Sequence, residues 1–150
     1  MVQRAMAKLM IVLALGLPCG GCGGESGPVR YDVVGEVTFN GEPVPMGRLL
    51  FTPDTGAGNR NPQGFTHILN GRFATSEGTE AKGVGSGAYL LEVHGYDGVP
   101  FEGAEGMVAD GKTLFPPLRT TINMPAANCT MAIDVSMSTG APRVEVKISE

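Results

Sequence analysis

A two-residue alternation near the start of the body of this chain limits most severely what it can fold into. Between Tyr31 and Phe39, the residues Tyr31, Val33, Val37 and Phe39 fall on one side with Gly35 in step, and Asp32, Glu36 and Thr38 fall on the other. Side chains that repeat every second residue line one face of a strand, whereas a helix would scatter them around its axis. Asn40-Gly41 then supplies a tight turn, Pro43 and Pro45 follow, and a second apolar run covers Leu49, Leu50 and Phe51. Strand, turn and strand are expected to pair as an antiparallel hairpin and to seed a sheet.

The same grammar continues downstream. Thr52 to Pro62 is rich in Gly, Asn, Pro and Asp and reads as a loop. Phe65, His67 and Leu69 then alternate with Thr66 and Ile68, and the alternation predicts a strand with Phe65 and His67 on the core side. Asn70-Gly71 leads directly into a return strand over Arg72 to Thr75, a strong hairpin signal because a type I′ turn needs positive φ at both central residues. After a Gly-rich loop from Ser76 to Gly87, the central strand covers Ala88 to His94, with Tyr89, Leu91 and Val93 on one face and Leu90, Glu92 and His94 on the other. A long acidic loop is expected from Gly95 to Lys112. Further strands are predicted over Thr120–Met124, over Cys129–Val135 and around Val144, Val146 and Ile148. Glycine and proline, 23 and 11 of 150 residues, together make about 23% of the chain, against roughly 12% in average usage. They fall between the strand-like runs and therefore mark turns. About eight strands with closely spaced turns and no amphipathic helix imply one all-β domain, a sandwich or a small barrel.

The N-terminus reads as an address. Arg4 and Lys8 precede the apolar run Leu9 to Leu17, which is too short for a bilayer core needing ~20 residues and suits a signal peptide. The following CGGCGG resembles the lipobox of bacterial lipoproteins. In that motif small residues precede a cysteine that is acylated and becomes the mature N-terminus. Gly20 and Gly21 precede Cys22 as the motif requires, whereas Pro18 precedes Cys19, so Cys22 is favoured over Cys19 as the lipidation site. The resemblance implies a signal peptide over residues 1–21 and a thioether-linked diacylglycerol plus an amide-linked acyl chain, such as palmitate, on Cys22. Several chains anchor stably where one binds marginally. Residues 22–29 read as a flexible tether and 30–150 as the domain. Gly23, standing where Asp would signal inner-membrane retention, implies the outer membrane or cell surface of a bacterium. Loss of Arg4 and Lys8 with the leader takes the formal charge from −4 to −6. No basic patch is readable, so nucleic acid is not expected as a partner.

A second resemblance rests on Val33–Pro53, VVGEVTFNGEPVPMGRLLFTP, and on Gly83–Gly98, GVGSGAYLLEVHGYDG. Both are similar to carboxypeptidase-regulatory-like domains. That family implies a single antiparallel, transthyretin-like (prealbumin-like) β-sandwich of seven or eight strands. It also implies an accessory module with no catalytic residues.

The remaining chemistry is sparse. His67 and His94 are the only histidines, expected on opposite faces. Zinc needs three or four converging ligands, so ordinary sheet histidines are expected and no metal site is assigned. Asp97, Glu102, Glu105 and Asp110 could offer oxygens to calcium, but their spacing is not that of an EF-hand, and a solvated loop is the plainer expectation. Gly83–Gly87 precedes a strand, not a helix, and lacks the lysine of a P-loop, so it reads as turn residues. Cys129 sits in an apolar alternation and reads as a small core residue without a disulfide partner. Catalytic residues and cofactors are not expected. The expected function is a non-catalytic, membrane-anchored structural or interaction module of the cell envelope, facing another envelope protein or a polysaccharide. The alternative is a carbohydrate-binding module with its site in the loops. Trp is absent, and Tyr31 and Tyr89 fall on apparent core faces, which leaves Tyr96 as the only free tyrosine for stacking on a sugar.

Overall fold

The computed structural model describes residues 27–77, 82–138 and 140–150. The expected signal peptide, Cys22 and the expected tether as far as Ser26 lie outside the described residues, and Gly27, Pro28 and Val29 are exposed without regular structure. The chain forms β1 (Val33–Phe39), β2 (Glu42–Pro43), β3 (Met46–Pro53), β4 (Gly64–Leu69), β5 (Arg72–Ala74) and β6 (Gly87–Tyr96). It continues as β7 (Phe101–Gly103), β8 (Gly106–Val108), β9 (Leu118–Met124), β10 (Cys129–Ser138) and β11 (Ala141–Ser149). The class is all-β, as the alternation requires.

One sheet runs in the order β11-β10-β1-β5-β4-β3-β6-β9, with β2 added beside β1 and β7–β8 as a separate small hairpin. The end strands β9 and β11 touch, so the sheet is nearly closed and barrel-like. A two-layered sandwich was the expectation. Near-closure instead brings the two edge strands into contact without pairing them, which shelters ladders that open sheets must otherwise protect. Pairing is antiparallel throughout the path except that β1 runs parallel to β10, from Val33 beside Cys129 to Phe39 beside Val135. A parallel pair needs a long crossover, and here nearly the whole domain lies between its two members.

Both Asn-Gly turns adopt the conformation their sequence demands. Asn40 and Gly41 have φ of 51° and 85°, and Asn70 and Gly71 have 50° and 75°. The first turn, however, does not join β1 to the Leu49–Phe51 strand. Its hairpin ends after Thr38–Pro43 and Phe39–Glu42. Proline carries no N–H for the ladder; Val44 N–H still donates to Val37 O at 3.0 Å, and beyond the buried Val44 the chain leaves β1 and crosses over. The crossing segment is held by the second turn, where Gly71 N–H donates to Val44 O at 2.7 Å and Asn70 N–H to Pro45 O at 2.8 Å. β3 then pairs with β4 and β6 instead.

The interior is filled from alternate positions of every long strand. Val33 and Val37, Leu49 and Phe51, Tyr89, Leu91 and Val93, and Met131, Ile133 and Val135 are all buried. Each such aliphatic or aromatic side chain is worth about 1.5–3 kcal/mol relative to exposure. Val144, Val146 and Ile148 of β11 pack against this core from the edge. Two glycines make room for rings. A Cβ on Gly35 would lie 2.8 Å from the Phe73 ring opposite it, and one on Gly95 would lie 2.6 Å from the Phe115 ring. Each aromatic covers the bare backbone that its glycine leaves.

Candidate functional site

The face of β4 is the reverse of the one expected. Thr66 and Ile68 are buried, and His67 and Leu69 are exposed with Phe65 half-buried beside them. Five alternating residues fix the period but not which side turns inward. Here the decision falls to packing: Ile68 is fully buried, and the buried Thr66 hydroxyl finds a partner by donating to Ala74 O at 2.8 Å. A polar residue is tolerated inside once it is hydrogen-bonded.

That inversion builds a groove. β4 and β5 pair only at Leu69–Arg72, so beyond the Asn70-Gly71 turn the strands splay, and the Thr66–Ala74 hydrogen bond spans the gap. The groove, of about 870 Å³, lies over β10, β1, β5 and β4 on the outer side of the sheet. Its floor and walls are mainly apolar, from Val34, Phe65, Leu69 and Ala74, with polar groups at the rim. Leu69 is 57% exposed and Val34 46%, unusual for aliphatic residues on a sheet face. Glu36 and Arg72 meet at 3.6 Å across one rim, but with both side chains mostly in water that pair adds little stability. Phe65 and His67 sit edge to face with ring centroids 4.7 Å apart, which fixes the imidazole at the opposite rim.

The two histidines share one face. Arg48 of β3 stands opposite His67 on β4 and opposite His94 on β6. Side chains directly across a pair point the same way, so the three form one row on the outer surface. In the next row, Glu92 stands opposite Arg119. The Glu92 carboxylate accepts from Arg119 Nε at 2.6 Å through Oε2 and is hydrogen-bonded to His94 Nε2 at 2.7 Å through Oε1. The Arg119 hydrogen bond, reinforced by the one to His94 and opposed by desolvation, holds the Glu92 carboxyl below its ordinary value. Arg48 and Arg119 were not singled out from the sequence. The parity of β3 does place Arg48 outward, but its neighbours depend on a strand order that no local signal carries.

The acidic insert is not a plain loop. It contains the β7–β8 hairpin, and Asp97 closes its base by accepting from the N–H groups of Val99 and Lys112, each at 2.9 Å. Those two backbone donors lower the Asp97 carboxyl below its ordinary range. Glu102, Glu105 and Asp110 point into solvent. Among the described residues no group of three or more His, Cys, Asp or Glu is placed to hold a metal ion.

A smaller cavity of about 390 Å³ does lie where loops were expected to carry function, between Ala57–Asn61 and Ser86–Ala88. Its amides are committed internally. Asn59 Nδ2 donates to Ala88 O at 2.7 Å, and Asn61 Nδ2 donates to Ser86 O at 2.8 Å and to Asn59 Oδ1 at 2.9 Å. They tie the two loops together. In the Gly83–Gly87 segment, Val84 is buried and bridges to Tyr31, so these residues serve the fold. Tyr96 is half-buried in β6 opposite Met46. Cys129 is a free, buried thiol, and burial, with the Glu150 charge, pushes its pKa up.

Comparison with protein-family models, with curated proteins and with solved structures finds no match to this chain.

Proposed function

We propose that this chain is a non-catalytic, lipid-anchored module of the bacterial cell envelope, acylated at Cys22, that engages an envelope partner through the outer-face groove. The groove is the observation that carries the reading. An apolar concavity of about 870 Å³ built on strands, with exposed Leu69 and Val34 and a polar rim, has the make-up of a recognition surface. The anchor rests on the lipobox resemblance, and the Val33–Pro53 pattern supports grouping the sheet with transthyretin-like domains. The loop-borne sugar site is disfavoured, because the amides of Asn59 and Asn61 are already spent.

Two measurements test the two halves of the proposal. The intact mass of the protein from the membrane fraction is expected to begin at Cys22 and to carry three acyl chains. A bare chain from the soluble fraction would remove the anchor. A photo-crosslinker at Leu69 is expected to capture a discrete envelope component, with capture lost in Val34→Glu. The same crosslinker at Thr121, exposed on β9, is expected to capture none. Equal capture from both positions would remove the groove from the reading.

A further inference from the structure

The row of basic side chains across β4, β3 and β6 lies beside the groove and is not needed to hold the sheet together. Arg48 is flanked on both sides, by His67 and by His94, with cross-strand neighbours about 5 Å apart. Among the described residues Arg48 forms no ion pair. The one carboxylate in the adjoining row, Glu92, has both oxygens occupied by Arg119 and His94. Its charge is therefore already answered, and that of Arg48 is not. With both histidines neutral the patch sets two arginines against one carboxylate, and with both protonated it sets four cations against one. The whole chain carries −4, so this row is a local reversal of sign.

We propose that Arg48 and His67, backed by His94 and Arg119, form a surface site for an oxyanion (carboxylate, sulfate or phosphate) that binds more tightly when the imidazoles are protonated. Arg48 supplies the planar fork suited to an oxyanion, and His67, exposed and steadied by Phe65, adds a second donor when protonated. His94 acts through charge, since its Nε2 is committed to Glu92. Histidine is the side chain whose charge ordinarily changes between pH 5 and 8. The charged groups around the two imidazoles are few. His67 faces Arg48 from β3 and, across the groove, Glu36, Arg72 and Glu77. Glu36 is paired with Arg72, leaving Glu77 as the carboxylate that competes with an incoming anion. His94 faces Arg48 from β3, Arg119 from β9 and Glu92 on its own strand. Phe65 and Leu50, one row along, give the anion's carrier an apolar margin.

The test follows the histidine ring signals by NMR at pH 5.5 and 7.5 during titration with three probes. These are inorganic sulfate, trigalacturonate with its neutral counterpart, and phosphatidylglycerol vesicles. The second and third separate a saccharide source from a lipid one. Binding is expected to be roughly tenfold tighter at the lower pH, the worth of one added charge-assisted hydrogen bond. Arg48→Gln is expected to abolish it, and His67→Gln to flatten its pH dependence. Both side chains project from the outer face, so both variants keep the core intact. Silence of both histidines toward every probe at pH 5.5 would overturn the site. So would binding that Arg48→Gln leaves unchanged.

Discussion

At the scale of single residues, Tyr89 carries the plainest unresolved cost in the interior. Its ring is fully buried and meets Phe51 edge-on with centroids 6.5 Å apart, yet its hydroxyl has no hydrogen-bond partner. A buried hydroxyl left unpaired costs about 1–3 kcal/mol of desolvation. Tyr89→Phe keeps the ring and removes the orphaned group. It is expected to raise the unfolding free energy by about 1 kcal/mol in urea denaturation. A loss of that size would instead mean that the hydroxyl is satisfied, for example by a buried water. Gly35 shows the opposite constraint. Its place in the Tyr31–Phe39 alternation is visible in the sequence, but the Phe73 ring that needs its missing side chain comes from a strand more than thirty residues away.

At the scale of elements, the base of the β7–β8 insert is closed by the Asp97 carboxylate together with backbone hydrogen bonds from Asp97 N–H to Lys112 O and from Gly98 N–H to Asp110 O. Asp97 gathers two N–H groups from the insert's two ends, and Gly111, at φ 87°, lets Asp97 and the Val99 backbone close in, since a Cβ there would lie 2.6 Å from Val99 N. Asp97→Ala is expected to speed amide exchange at Val99 and Lys112 by on the order of tenfold or more. The sheet amides are expected to stay protected, because the insert pairs only with itself. Faster exchange across β3 and β6 would show that the insert belongs to the same cooperative unit as the sheet.

What could be read from the sequence also divides by element. The period of β4 was legible and its facing was not, since both of its faces carry apolar residues and only the Thr66–Ala74 hydrogen bond and the burial of Ile68 decide the matter. The Asn40-Gly41 turn was legible, but the early end of its hairpin follows from how Pro43 and the crossing at Val44 redirect the chain. The groove depends on β4 and β5 splaying, and the basic row depends on β3 lying between β4 and β6. Both are properties of strand order, which alternation does not encode.

For the whole molecule, three titrating groups bound the pH range of full stability. Glu92 and Asp97 both sit below their ordinary values of 4.5 and 3.8 in the folded state. Their contribution is therefore complete above those values and is lost as pH falls through the lowered folded ones. Cys129 sits above its ordinary 9.0. A buried neutral thiol contributes below that value and loses its contribution as pH rises beyond it, when the unfolded chain gains by ionising. Urea midpoints are expected to be flat between roughly pH 5 and 8.5 and to fall on either side. Cys129→Ser is expected to remove the alkaline limb and leave the acid one. An alkaline limb that survives this change would assign it to another group.

The parallel pairing of β1 with β10 governs when the domain comes into being. β1 emerges first from the ribosome or the translocon, but the neighbour on one of its sides is not made until Cys129–Ser138 has followed. Until then the ladder partners of β1 are the two-residue β2 and the three-residue β5. One edge of β1 must therefore wait for β10. A sheet closed by so distant a pairing has a high contact order, so its last step is a slow, non-local one that leaves one edge of β1 open to other strands until β10 docks.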